Sequence, residues 1–105
     1  MAGAVSFKAL LQKGNRVQVP KLVRWEFKLE PAQVLRVSVK VETSQFASVL
    51  ESFYGRISRD GRITVPLLTL VLLRQRGKID VDLVGRVFEV KIEPAEGSSR
   101  SVMKQ

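Results

Sequence analysis

The 105-residue chain carries 18 lysines and arginines against 10 aspartates and glutamates, a formal net charge of +8. It contains no cysteine and no histidine, so disulfides, thiolate metal sites and histidine-based catalysis are excluded. The length suits one domain with a modest core, and the positive charge favours polyanionic partners, with nucleic acid ahead of an acidic membrane or an acidic protein.

The N-terminus lacks the charged start and apolar run of a signal peptide, and no apolar run reaches the ~20 residues that cross a bilayer. We therefore expect a cytoplasmic protein without a membrane partner. Residues 6–12 predict a first strand, and the Gly-Asn pair at 14–15 predicts a turn because both residues tolerate positive φ. Residues 16–19 alternate in polarity and predict the second strand of a hairpin, with Val17 and Val19 facing inward.

Pro20 ends this strand and opens a helix, because the first helical position needs no backbone N–H partner. The apolar spacing over 21–29 predicts an amphipathic helix that Pro31 stops. Trp25 at this spacing is expected in the core rather than as a platform on which bases stack. The next strand, 34–41, alternates cleanly and should bury every second residue: Leu35, Val37, Val39 and Val41.

The segment 14–24, which reads GNRVQVPKLVR, resembles the Gly-Arg-Val-x-Ile-Pro-Lys-x-Ile-Arg pattern of the AbrB/SpoVT/MazE family of DNA-binding proteins. The likeness continues through matching residues further on: Phe27, Leu29, Pro31 and 34–37. It departs from the family where Lys28 replaces a glycine and Ala32-Gln33 replaces Gly-Asp. In that family one short chain supplies half of a barrel and a dimer completes it.

The same pattern occurs twice in this chain, since RVQVP at 16–20 is matched by RITVP at 62–66. The shift between the two prolines is 46 residues (66 − 20) and also aligns Phe7 with Phe53 and Val41 with Val87. A long self-match at one offset indicates an internal duplication. One chain would then supply both halves of the barrel, an arrangement that resembles the archaeal RIFT-type barrels.

The second half is expected to repeat the order of the first. Its predicted elements are a strand at 46–57, an Asp-Gly turn at 60–61, a strand at 62–65, a helix opened by Pro66, and strands at 79–83 and 87–92. The sequence thus predicts a mainly β fold over 1–105: a small closed β-barrel from two fused β-β-α-β repeats, with two short helices. The repeats span about 6–42 and 52–93, and 94–105 is expected to be a mobile tail.

The second predicted helix has almost no polar face before Arg74. A helix that is apolar all round is buried on more than one side. Either the long strand or the tail covers it, or it mediates self-association through its leucine-rich surface: Leu67, Leu70, Val71 and Leu72.

Catalytic chemistry finds little support in the sequence. Asp80 and Asp82 lie two apart on one predicted strand face, a spacing that can share Mg²⁺ but more often marks a solvated face. No Gly-rich phosphate loop with Lys-Ser/Thr is present, and no serine has a histidine partner. We therefore expect no enzyme activity, no metal site and no cofactor.

The basic residues are better organised. Lys13 and Arg16 flank the first turn, and Arg59 and Arg62 occupy the matching places at the second. Loop arginines and lysines contact phosphates and sometimes base edges. The alternative is that these side chains pair with Glu26, Asp60 or nearby carbonyls.

The family resemblance implies which arginines contact DNA. Its Gly-Arg-Val arginine corresponds to Arg16 and, in the second copy, to Arg62. Its helix arginine corresponds to Arg24, whereas the matching position in the second half is Leu70. The favoured function is therefore DNA binding, ahead of RNA binding, by an AbrB/SpoVT-like regulator. The alternative is a non-catalytic interaction module of a larger assembly, attached to the ribosome or to RNA, that binds through its basic face or its leucine-rich helix.

Overall fold

The computed structural model describes residues 3–43 and 47–95. Each half of this part of the chain contains two strands, a helix and a further strand, in that order. The elements are β1 (Val5–Leu10), β2 (Arg16–Gln18), α1 (Lys21–Glu26), β3 (Val34–Glu42), β4 (Ser48–Arg56), β5 (Arg62–Thr64), α2 (Leu67–Gly77) and β6 (Val87–Pro94). The fold is mainly β with two helices, as predicted.

The strands form two antiparallel sheets. One has four strands in the order β1-β6-β3-β4, and the other, which we call the ribbon, pairs β2 with β5. The predicted hairpins are therefore wrong in their pairing, since β2 pairs with its counterpart from the other half. In the described residues, each predicted hairpin keeps a single isolated bridge. In the first half it joins Gln12 to Arg16, and in the second half it joins Ile57 to Ile63. Cross-pairing wins because it buries the central residue of both short strands against the shared core.

The ribbon has internal two-fold symmetry. Its central pair is Val17 and Ile63, flanked by the pairs Arg16–Thr64 and Gln18–Arg62. Val17 and Ile63 are 46 residues apart (63 − 17), the offset of the repeated motif. The pseudo-two-fold axis therefore passes through this pair, and it also runs between the adjacent strands β3 and β6 of the larger sheet.

The offset changes after the helices. Leu10 pairs with Val87, and Arg56, which matches Leu10 at the 46-residue offset, pairs with Val34. Val34 and Val87 are thus equivalent and lie 53 residues apart (87 − 34). The alignment of Val41 with Val87 was wrong, because the second half is longer between β5 and β6. Part of the extra length is in α2, which has 11 residues against 6 in α1.

Inward side chains of both sheets and of α2 form one hydrophobic cluster. The central strands contribute alternate, fully buried residues: Leu35, Val37, Val39 and Val41 from β3, and Phe88, Val90 and Ile92 from β6. Burying a side chain of this size contributes about 1.5–3 kcal/mol. The predicted burial of alternate residues in β3 is confirmed, as is that of Val17 and Val19. The prediction succeeds because successive side chains of a strand point to opposite faces, so alternating polarity indicates which face is buried.

Hydrogen bonding among the described residues does not close the six strands into one barrel. β1 and β4 form the two edges of the larger sheet, and the ribbon is a separate sheet. The structure therefore shows a small β-rich fold, but it does not show the closed barrel that the sequence predicted.

Two predicted elements differ in extent or kind. The first helix ends at Glu26 rather than near Pro31, because Lys28 adopts a left-handed conformation (φ 55°) and Leu29 N donates to Arg24 O. No strand forms at 79–83. Its alternation arises because Leu83 inserts into the core from a loop, and Asp82 accepts a hydrogen bond from Val84 N at 3.0 Å.

Some predictions fall on residues that the structure does not describe. The start of the long strand at Phe46 and most of the predicted tail, 96–105, lie outside the described residues. Pro94, placed in that tail by the sequence, is the last residue of β6 and pairs with Leu35. In the described part of the chain no helix is long and apolar enough to span a membrane.

Candidate nucleic-acid interface

The outer face of the ribbon carries two of the predicted arginines. Val17 and Ile63 point into the core, so the residues on either side of them point outward. Arg16 and Arg62 lie diagonally across the two strands, about 7–8 Å apart between Cα atoms. The fold therefore brings together two arginines that are far apart in the sequence.

Each basic loop is anchored to the strand end of the opposite half. Asn15 (φ 63°) and Gly61 (φ 85°) take matching left-handed conformations. Asn15 O accepts a hydrogen bond from Val65 N at 2.7 Å, and Gly61 O accepts one from Val19 N at 2.9 Å. The two loops therefore lie at opposite ends of the ribbon, separated by about 13 Å at four residues of about 3.3 Å each.

Lys13 and Arg59 lie in these loops and are both exposed. No salt bridge to either is formed by another described residue. Their cationic heads are thus available to an external partner, one at each end of the ribbon.

Arg62 is held by a local network. Its Nη1 lies 3.1 Å from Asp60 Oδ2, and its Nε donates to Gln18 Oε1 at 3.1 Å. Ser58 Oγ donates to the other carboxylate oxygen of Asp60. The pKa of Asp60 is lowered, chiefly by the Ser58 hydrogen bond and further by the positive charges of Arg62 and Arg16. The prediction that an arginine pairs with Asp60 is confirmed for Arg62, which is oriented but partly neutralised.

Arg16 has a freer position. In the described residues no salt bridge involves it, although its charge contributes to the lowered pKa of Asp60. Its guanidinium instead packs near Gly14, where a Cβ would lie 3.5 Å from Arg16 Nε. Of the two symmetry-related arginines, Arg16 is therefore the one without a salt bridge to another described residue.

Arg24 reaches from α1 to the second loop. Its Nε donates to Val19 O at 3.3 Å, and its guanidinium lies directly against Gly61. A Cβ on Gly61 would come within 2.4 Å of Arg24 Cζ, so the contact depends on glycine. Arg24 thus joins Arg62 beside one loop, whereas Leu70, its counterpart by the motif offset, is buried in the core.

The solvated face of the larger sheet is electrostatically different. Lys40 pairs with Glu89 at 3.2 Å, and Arg36 pairs with Glu93 at 3.8 Å across neighbouring strands. Cations and acids therefore alternate on this face, whereas Asp60 is the one acid of the ribbon and its two loops.

One feature of this surface escaped the sequence analysis. Trp25 was expected in the core, but 78 % of it is exposed. It lines an open groove beside Arg24, with charged and apolar neighbours on both sides: Lys21, Lys28, Leu29 and Glu30. The spacing of Lys21 and Trp25, one helical turn apart, is the sequence signal that could have placed a cation beside the ring.

Asp80 and Asp82 do not form a metal site with other acids. In the described residues there is no group of three or more histidine, cysteine, aspartate or glutamate side chains that could hold a metal ion. Asp82 instead accepts the backbone bond from Val84 described above.

Comparison with known proteins identifies a similar fold but gives no information on the activity. No protein-family model matches the chain, and no curated protein matches its sequence. It is similar to the solution structure of PHS018 from Pyrococcus horikoshii, with a TM-score of 0.67 and 18% sequence identity over 85% of this chain and 88% of that chain. At this identity the similarity is one of fold alone.

Proposed function

We propose that the protein binds nucleic acid, DNA in preference to RNA, through the outer face of the ribbon and its two basic loops. The observation that carries this proposal is the two-fold placement of Arg16 and Arg62, both half-exposed, on the outer face of the ribbon. Lys13 and Arg59 extend the same positive surface at the loops, and Arg24 joins it beside Gly61.

The charge of this surface suits a polyanion. The proposed surface contains five cationic side chains and one carboxylate, that of Asp60, which pairs with Arg62. Arg16 and Arg62 lie on the same face of the ribbon, so both can contact one polyanion. The chain as a whole carries +8, which favours association with a phosphate backbone.

We further propose that the protein is related to the AbrB/SpoVT regulators and that its two sheets form a barrel of the type found in that family. The repeated β-β-α-β order and the two-fold ribbon support it, since a duplicated half-barrel would have both. In this view Arg16, Arg24 and Arg62 are the DNA-contacting arginines that the resemblance implies.

A salt-titrated binding series tests this function. About four to five phosphate contacts predict a log–log slope of about −4, so affinity for a short labelled duplex should fall roughly 250-fold between 50 and 200 mM salt. Replacing Arg16 and Arg62 together by alanine should lower the slope by about two. The matched control is Lys8→Ala with Lys91→Ala, which removes the same charge from the solvated face of the larger sheet.

Equal losses in the two double variants would mean that net charge alone drives binding, and the ribbon would not be the site. A wild-type chain that binds neither duplex nor single strands at low salt would overturn the function itself.

The second candidate function is an interaction module that uses α2, favoured by two exposed leucines in its first turn. Leu67 is 70% exposed and Leu68 is 68% exposed. Leu70, which was predicted to take part in self-association, is 6% exposed and belongs to the core, and β4 packs against the helix as the alternative expected. Val71 keeps partial exposure, and Leu72 is half-buried.

Sedimentation velocity decides whether this helix mediates self-association. The wild-type chain should then sediment as a dimer at high concentration, and Leu67→Lys with Leu68→Lys should return it to a monomer. A wild-type chain that remains monomeric across the concentration range would exclude self-association through α2.

A further inference from the structure

The groove around Trp25 combines an exposed indole ring with three cationic side chains. Lys21, Arg24 and Lys28 line it together with one acid, Glu30, so its lining carries a net positive charge. Trp25 supplies a large aromatic surface that the fold leaves in solvent. An anionic ligand with a flat aromatic face matches both properties.

An unpaired nucleotide is such a ligand. In a duplex both faces of each base are covered by its neighbours, but in a single strand the face is free to stack on an aromatic side chain. An acidic peptide would satisfy the lysines without using the ring, and a lipid surface would need more apolar area than one tryptophan and Leu29 offer. The composition of the groove therefore favours single-stranded nucleic acid.

The groove is continuous with the proposed interface. Arg24 lines the groove, and its guanidinium also lies against Gly61 in the second basic loop. A strand with one base on Trp25 can therefore run past Arg24 towards Arg59 and Arg62. The two surfaces share a residue, so one ligand can occupy both.

The second half lacks the same groove. At the motif offset, Lys21 corresponds to Leu67 and Trp25 to Val71, which provide neither a cation nor an aromatic ring. Of the two helices, only α1 therefore lines such a groove in the part of the chain that the structure describes, despite the internal two-fold symmetry.

We propose that this groove binds single-stranded nucleic acid by stacking an unpaired base on Trp25, with Lys21, Arg24 and Lys28 contacting the adjacent phosphates. The inference rests on the proposed function and narrows its substrate class. It predicts one stacked strand per chain.

Trp25 is the one tryptophan of the chain, so intrinsic fluorescence reports on this groove directly. An oligothymidylate should quench the emission at low salt, and a blunt-ended duplex of equal length should bind with little quenching. Trp25→Ala should weaken oligothymidylate binding, measured by anisotropy of a labelled strand, by roughly five- to a hundredfold. Trp25→Phe should recover much of the loss because a phenyl ring also stacks.

Two controls keep the test specific. Val71→Ala truncates the symmetry-related position and should leave single-strand affinity unchanged. Lys21→Glu with Lys28→Glu keeps the ring and should still abolish quenching by the oligonucleotide at moderate salt. Because Trp25 and Lys28 are exposed, these variants are expected to fold as the wild type does.

The outcomes separate this inference from the broader function. If Trp25→Ala binds single strands as the wild type does, stacking is wrong, while loss of binding in the Arg16 and Arg62 variant would still uphold the nucleic-acid function. If polyglutamate quenches Trp25 as strongly as the oligonucleotide, the groove is a general anion or peptide site and the inference is overturned. If no nucleic acid binds at low salt, both proposals fail together.

Discussion

The two halves of the molecule share a backbone plan but differ in what they expose. Both loops carry a cation before the turn and an arginine after it, and both anchor to the opposite strand end through the same backbone hydrogen bond. The second loop is additionally held by Gln18, whose Nε2 donates to Asp60 O at 3.0 Å. The residue that matches Gln18 in the other half is Thr64, whose short hydroxyl side chain has no amide group.

The helices diverge further. α1 has no buried residue and presents Trp25 and Arg24, whereas α2 is longer and buries Leu70 and Leu73. One helix thus presents its side chains to solvent, whereas the other packs into the core. Because the core is shared between the halves, the burial by α2 stabilises both.

The largest effect expected from this comparison is on stability. Leu73→Ala should lower the free energy of unfolding by about 2–5 kcal/mol, because it leaves a cavity in the core. Val23, which matches Leu73 when the helices are aligned at their C-terminal ends, is partly buried, and its change to alanine should cost about 1 kcal/mol. Urea unfolding measures both, and similar losses would contradict the division of roles between the helices.

The next effect concerns Gly61. Gly61→Ala should lower the free energy of unfolding by about 1–2 kcal/mol because φ is 85°, and its methyl group should displace Arg24. Gly61→Asn introduces the residue type that the first loop uses at φ 63°, so it should recover stability but not nucleic-acid affinity. If Gly61→Ala unfolds and binds as the wild type does, the contact with Arg24 has no consequence.

The smallest effect is the pH dependence contributed by Asp60. Its pKa is lowered in the folded state from the ordinary 3.8, so its stabilising contribution is present above that value and is lost as the pH falls through the lowered pKa. Asp60→Asn should therefore be slightly less stable than the wild type at neutral pH, and this difference should vanish on acidification. Urea titrations from neutral pH down to about pH 2 measure it, and a difference that grows in acid would contradict the assigned direction.

Local patterns predicted much of the fold. The alternation in β3 identified its buried residues, the two prolines marked where both helices begin, and the repeated motif revealed the matching loops that precede Arg16 and Arg62. These features depend on interactions within a few residues. For the same reason the alternation at 79–83 misled, because a loop that inserts Leu83 into the core has the same local pattern as a strand.

The amino-acid sequence by itself determined the repeated unit, the buried faces of its strands and the basic character of its loops, because each of these depends only on residues that are neighbours in the sequence. The tertiary structure alone decided that β2 pairs with β5, that Arg24 rests on Gly61 and that Trp25 stays in solvent. Those outcomes depend on which distant segments meet. Burial periodicity states that a side chain is covered, but it does not state what covers it.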